Sequence, residues 1–454
     1  MTVELRAPRK VEDLHIPKSL LQDLVLRRVL FEGKSSTVRL SEGLAVSLQA
    51  MTEMVEELRA LRYVEILGLE GRDYQLALTD LGRDSANERM NLCRYAGSAP
   101  VALADYVNVI KTQAAAPGID RELMRDAFSD LVVNDDLLDE LGPALISDGA
   151  MFLYGPPGTG KSSIAERLIR VHQDNVLVPR AVEVDSQIIT VFDPISHVAV
   201  DPQPPDLDPR WIACRRPAII AGGELNMDML DLTYEASNGV YIAPLQMQAN
   251  NGIFVIDDFG RQTISPESLL NRWIVPLDRR RDYLSLSYGL KFEIPFDVKV
   301  VFSTNLEPAA LGDEAFFRRI QNKILVRPIS DEEFDAVLIR AATSYGVTIE
   351  SGAATYLRRV SREVGDGDLR PYLPLQVCRI LRSVCEYKTM PLVLDRANID
   401  RIASIYFTKA AHMKGTLGAS SISVAAQQPI SAEPAQESSV WSKARTLDLL
   451  RESD

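Results

Sequence analysis

Apolar positions change their period several times along the chain, and each change predicts a change of element. Leu20 to Gly33, Leu40 to Leu48 and Met51 to Leu61 carry apolar residues at three- and four-residue spacing, the stripe of an amphipathic helix. Tyr63-Val-Glu-Ile-Leu67 and Tyr74-Gln-Leu-Ala-Leu78 switch to strand character around Glu70-Gly71-Arg72-Asp73, and Leu81 leads into a last helix. Three helices followed by a hairpin predict a small α+β unit, resembling a winged helix, over residues 1–95. Ala96-Gly-Ser-Ala-Pro100 and Ala114-Ala-Ala-Pro-Gly118 flank one helix, Val101 to Thr112, and predict a jointed linker over 96–119.

Beyond Asp120 the pattern is that of an α/β protein over residues 120–327. Asp126 to Leu145 is helical. Met151-Phe-Leu-Tyr154, Asn251-Gly-Ile-Phe-Val-Ile256 and Phe296-Asp-Val-Lys-Val-Val-Phe302 are short apolar runs of the kind that form buried parallel strands. Val176 to His197 adds further strands, and the prolines of 201–209 predict a rigid exposed loop. Two alternating stretches around Tyr288-Gly289, within 282–294, predict a hairpin. Pro328 to about Gly415 is helical by pattern, in segments Glu332 to Tyr345, Gly352 to Val364, Leu375 to Tyr387 and Asn398 to Met413, giving a lid over 328–415. Residues 416–454 form a tail rich in Ser, Ala, Gln and Pro, expected to be disordered apart from a short amphipathic segment, Trp441 to Leu450.

The chemistry lies where strands end. Gly155, Pro156, Pro157, Gly158, Thr159, Gly160, Lys161, Ser162 and Ser163 follow the first strand and open a helix. Strand, glycine loop and helix in that order make a nucleotide P-loop, in which backbone N–H groups and the positive helix end cradle a polyphosphate. Lys161 would reach the β- and γ-phosphates and the Ser162 hydroxyl would hold Mg²⁺. After the second strand stand Asp257, placed to orient the metal, and Asp258, placed to polarise an attacking water. Asn305, after the third strand, would sit beside the γ-phosphate. Arg318 and Arg319 follow an amphipathic segment, Leu311 to Ile320. Tyr241, between Asn238-Gly239 and Pro244, reads either as a loop aromatic that grips a substrate or as an ordinary buried tyrosine.

GPPGTGKSS at 155–163, IFVIDD at 253–258, VFSTN at 301–305 and DEAFFRRI at 313–320 together resemble an AAA+ ATPase, in particular the branch with a hairpin before its sensor strand, such as the MoxR-type chaperone ATPases. The resemblance implies ATP and Mg²⁺ as cofactors, a P-loop parallel sheet with a helical lid, a homo-oligomeric ring, hexameric in the first instance, and a protein client. It also implies that Arg319, with Arg318 as backup, serves as an arginine finger for a neighbouring subunit. Two positions depart from the family. Walker B reads Asp-Asp, so Asp258 is one methylene shorter than the usual glutamate. Leu375 stands where a sensor-two arginine belongs, with Arg370 and Arg379 as neighbours.

Composition narrows the partners. The chain has 454 residues, too many for one core, and no apolar run of membrane-spanning length, so a cytoplasmic protein without membrane segments is expected. The net charge is −13. Residues 1–92 hold 13 Lys or Arg against 15 Asp or Glu, and the helix that would enter a DNA groove carries Glu53, Glu56 and Glu57 with Arg59 as its one base. Phosphate attraction supplies most nucleic-acid affinity, so protein docking is favoured over DNA binding there. An ATP-regulated DNA switch and a weakly hydrolysing scaffold are the alternatives. Cys93, Cys214, Cys378 and Cys385 lack metal spacing, and Cys378 and Cys385, seven apart, predict one buried helix face.

Overall fold

The computed structural model describes residues 5–70, 73–114, 118–147, 149–307, 320–364 and 367–406. The three apolar runs form the middle of a five-stranded sheet. Its spatial order is Ala218–Ala221, Ile253–Ile256, Lys299–Thr304, Met151–Tyr154 and Asn322–Leu325, and every neighbouring pair is parallel. The central strands are buried on both faces, which is why they are continuous apolar runs instead of alternating ones. Under one face Trp273 packs edge-on against Phe254, Phe296 and Phe302. On the other lie the helix Lys161–Leu168 and the pair Arg121–Ala127 and Asp135–Ile146. That pair is one helix in the sequence pattern. It breaks because Asn134 turns its side chain to cap the second helix, accepting from the Leu137 N–H at 2.8 Å. The third strand starts later than its apolar run, at Lys299, because Asp297 is engaged with Asn251 and Arg280.

A second five-stranded sheet, of mixed direction, runs Thr233–Glu235, Val240–Ile242, Gln187–Thr190, Ala181–Val184 and Val101–Ala102. Its side chains alternate between two cores. Ala181, Ile188 and Val240 belong to the core of the N-terminal unit. Val182, Val184, Ile189 and Tyr241 face a separate core shared with the hairpin Arg281–Ser285/Lys291–Pro295. The helix Leu103–Gln113, read from its flanking glycines and prolines as part of a joint, buries Tyr106, Val109 and Ile110 in that same core. Tyr241 is 2% exposed. The gripping role is thereby excluded for this conformation, and the buried reading holds.

The N-terminal unit runs helix Lys18–Glu32, strand Ser35–Ser36, helices Thr37–Gly43 and Leu48–Ala60, hairpin Val64–Glu70/Asp73–Leu78, and helix Asp80–Leu92. Side chains of Ser36, Ser47 and Thr79 cap three of these helices. Beyond the parallel sheet come helices Asp331–Tyr345, opened by a Ser330/Glu333 capping box, Ala353–Val364, Tyr372–Lys388 and Arg396–Tyr406. Cys378 and Cys385 are both buried on Tyr372–Lys388. Among the described residues no helix is long and apolar enough to cross a membrane. Arg318, Arg319, most of the segment before Ile320, and the tail with its Trp441 to Leu450 segment lie outside the described residues.

Candidate nucleotide site

The loop from Gly155 to Gly160 bends as only glycine permits. Gly155, Gly158 and Gly160 have φ of 142°, 81° and 94°. A Cβ on Gly155 would lie 2.4 Å from the Val326 carbonyl oxygen, so the loop passes directly over the neighbouring strand's end. Gly160 begins the helix Lys161–Leu168, whose first N–H groups and positive dipole end face the loop. The Lys161 ammonium donates to the carbonyls of Gly155 at 3.0 Å and Pro156 at 2.8 Å. Burial draws its pKa below the ordinary lysine value, while Asp257 and Asp258 oppose that shift. A parallel sheet with this loop on an inner strand decides the fold. This is the P-loop nucleotide-triphosphatase fold.

The acids sit at the tip of the adjacent strand but one. Asp257 continues the ladder, its N–H donating to the Ala221 carbonyl at 2.9 Å. Asp258 turns into the left-handed region, at φ 49°, a conformation aspartate tolerates better than most residues. The turn is held by backbone bonds, Arg261 N–H to the Asp258 carbonyl at 3.0 Å and Phe259 N–H to the Ser303 carbonyl at 2.7 Å. The Thr304 hydroxyl donates to the Phe259 carbonyl at 2.7 Å. The Asn305 amide donates to Asp258 Oδ1 at 3.3 Å, so the third strand's residue and the second acid are already in contact.

These groups share a cleft of about 690 Å³, a size usual for small-ligand sites. Residues 157–163 of the loop, Asp257, Asp258 and Asn305 line one end. Leu131, Val133, Val337 and Ala341 make an apolar end, where the break before Asn134 and the helix Asp331–Tyr345 come together. The cleft therefore offers apolar walls for a base, amides and an ammonium for phosphates, and Ser162 with Asp257 as oxygen donors suited to Mg²⁺. A nucleoside triphosphate and its metal fit the residues present.

Sequence reasoning left the cations of the cleft incomplete. Arg261 and Arg327 line it, and neither belongs to a motif named above. Leu375 lines it as well, whereas Arg379 is exposed on the same helix and is not among the lining residues. Arg370 is not among the lining residues either, but it lies against the loop. Its Cδ lies 3.6 Å from where a Gly158 Cβ would be, its charge bears on Lys161, and its Nε is buried without a hydrogen-bond partner. The Tyr372 ring crosses the same glycine, 2.4 Å from that Cβ position. Spacing alone could not single out Arg370 from Arg379.

Among relatives of this P-loop protein, one family model matches, over residues 330–404, and it is described as a domain of unknown function (DUF8689). No curated protein matches the sequence. Among solved structures, the RuvB Holliday junction branch migration motor of Thermotoga maritima is similar at 15% identity, over 63% of this chain and 70% of that one, with a TM-score of 0.35. A single-residue mutant of the same RuvB gives 14% identity over 63% and 73%, with a TM-score of 0.39. NtrX from Brucella abortus, in complex with ADP, gives 14% identity over 67% and 61%, with a TM-score of 0.36.

Proposed function

We propose that the chain is an Mg²⁺-ATP-dependent AAA+ ATPase that assembles as a homo-oligomeric ring, a hexamer in the first instance, and remodels a protein client in the cytoplasm. One observation carries the ATPase reading: Lys161, Ser162, Asp257, Asp258 and Asn305 come from three separate strand ends and line one cleft. Bound there, the metal would neutralise phosphate charge and the nucleotide would bring its γ-phosphoanhydride. Lys161 leaves its two loop carbonyls to pair with phosphate oxygens, Ser162 and Asp257 hold the metal, and Asp258 accepts a proton from water that Asn305 helps to orient. Arg370 takes the part of the lid cation. Arg318 and Arg319 are the proposed fingers for a neighbouring subunit, and the hairpin before the sensor strand supports the MoxR-like branch.

The N-terminal unit has the element order of a winged helix, and its exposed helix face carries Glu53 and Glu56 beside Glu12, with the base Lys10 among them. That acidic face favours a protein surface over DNA as its partner. Phosphate release by wild type, Lys161→Ala and Asp258→Asn tests the ATPase. Wild type should turn over, Lys161→Ala should lose nucleotide binding, and Asp258→Asn should bind ATP but hydrolyse it at least about 100-fold more slowly. Equal rates in all three remove the enzyme reading. Duplex DNA retained by the full chain with a steep salt dependence would favour the DNA switch instead.

A further inference from the structure

The second sheet separates the N-terminal unit from the hairpin and touches both. On one face Ala181, Ile188 and Val240 are part of the N-terminal core, the Arg94 N–H donates to the Asn238 carbonyl at 2.8 Å, and a Cβ on Gly239 would lie 2.4 Å from the Leu92 carbonyl oxygen. The buried Arg210, paired with Asp208, donates to the carbonyls of Leu14 and Pro100. On the other face the hairpin's Leu284, Leu286, Phe292 and Ile294 pack under Val182, Val184 and Ile189.

The tip of that hairpin is fastened by hydroxyls. Tyr241 Oη shares a 2.6 Å hydrogen bond with Ser287 Oγ and accepts from the Ser287 N–H at 3.0 Å. The Tyr288 hydroxyl donates to Asp185 Oδ2 at 2.6 Å, in the turn between the strands Ala181–Val184 and Gln187–Thr190. The base of the hairpin is fastened too. Asn250 Nδ2 donates to the Pro295 carbonyl at 3.0 Å, and the Asp297 N–H donates to Asn250 Oδ1 at 2.8 Å. In sequence the hairpin lies between Asp258 and the strand Lys299–Thr304 that ends at Asn305. Its second strand therefore leads into Lys299–Thr304, whose Ser303 lines the cleft, and its first strand follows the helix Pro266–Arg279 that comes after the two acids.

We infer that the hairpin is a strut that carries the state of the cleft to the N-terminal unit, with Tyr241, Ser287 and Tyr288 as its latch. This rests on the nucleotide-site reading above. The N-terminal unit then moves with the second sheet and is not a swivelling appendage, and the hairpin tip is occupied within its own chain.

Hydrogen exchange on the full chain tests this, with and without Mg²⁺ and a non-hydrolysable ATP analogue, in wild type and in a Tyr241→Phe/Tyr288→Phe variant. The substitutions remove hydroxyls and keep the apolar rings, so the core stays filled. Wild type should show protection at 155–163 together with changed exchange in Lys18–Glu32 and Asp80–Leu92. In the variant the cleft protection should remain while the N-terminal change falls at least three-fold. Cleft protection in wild type with no N-terminal change, or an N-terminal change of equal size in the variant, overturns the strut. No protection of the cleft overturns the nucleotide reading itself, and the strut with it.

Discussion

Arg370 holds an orphaned buried Nε beside the glycine loop proposed to take phosphate, and an unmade charged hydrogen bond is costly unless a ligand completes it. Arg370→Ala should raise the KM for ATP about ten-fold or more and leave the fold intact, a split that steady-state kinetics and a thermal melt resolve together. Gly158 makes a complementary case. Its φ of 81° and the 2.4 Å approach of Tyr372 leave no room for a methyl, so Gly158→Ala should abolish nucleotide binding, measured by titration with a fluorescent ATP analogue. At this scale the sequence was legible in which residues come together, since Lys161 and the pair Asp257-Asp258 do line one cleft. It was illegible at Arg261 and Arg327 and left Arg370 undistinguished from Arg379, since an arginine on a turn or before a proline carries no mark of what it faces.

Elements were legible where burial is one-sided or complete. The runs ending at Tyr154 and Ile256 are strands because no helical stripe fits three or four consecutive buried apolar residues next to a glycine turn. Ala218–Ala221 escaped notice because its burial alternates at the sheet edge and its four residues are too few to show a period. The helix Leu103–Gln113 was legible as a helix, but the core it enters was not, because its flanks, and not its apolar face, drew attention. Trp273, fully buried against Phe254, Phe296 and Phe302, fixes the helix Pro266–Arg279 that follows the two acids. Trp273→Ala should cost about 3–5 kcal/mol by the cavity it leaves, read as a shift of the urea midpoint.

Across the whole molecule the parallel sheet and the second sheet meet at a polar seam. Arg216 pairs with Asp174 and donates to the carbonyls of Asn251 and Gln113, joining the two bodies. His172 lies at that seam with its Nδ1 unpartnered, and burial, reinforced by Arg216, pushes its pKa down to about 4. Its folded value is below its ordinary one, so the unfolded chain takes up the proton first as pH falls. The stability is complete above about pH 6.5 and is lost on descending towards pH 4. Between pH 7 and pH 5 this one group should remove about 2 kcal/mol, and His172→Phe should show a correspondingly flatter dependence in denaturant titrations at both pH values. The two-faced second sheet has a further consequence for how this chain can vary. Because neighbouring residues such as Ala181 and Val182, or Ile188 and Ile189, belong to opposite cores, adding or deleting a single residue within either strand would send every side chain beyond it to the wrong partner. Length changes in that stretch should be confined to the turn at Asp185-Ser186 or come in pairs.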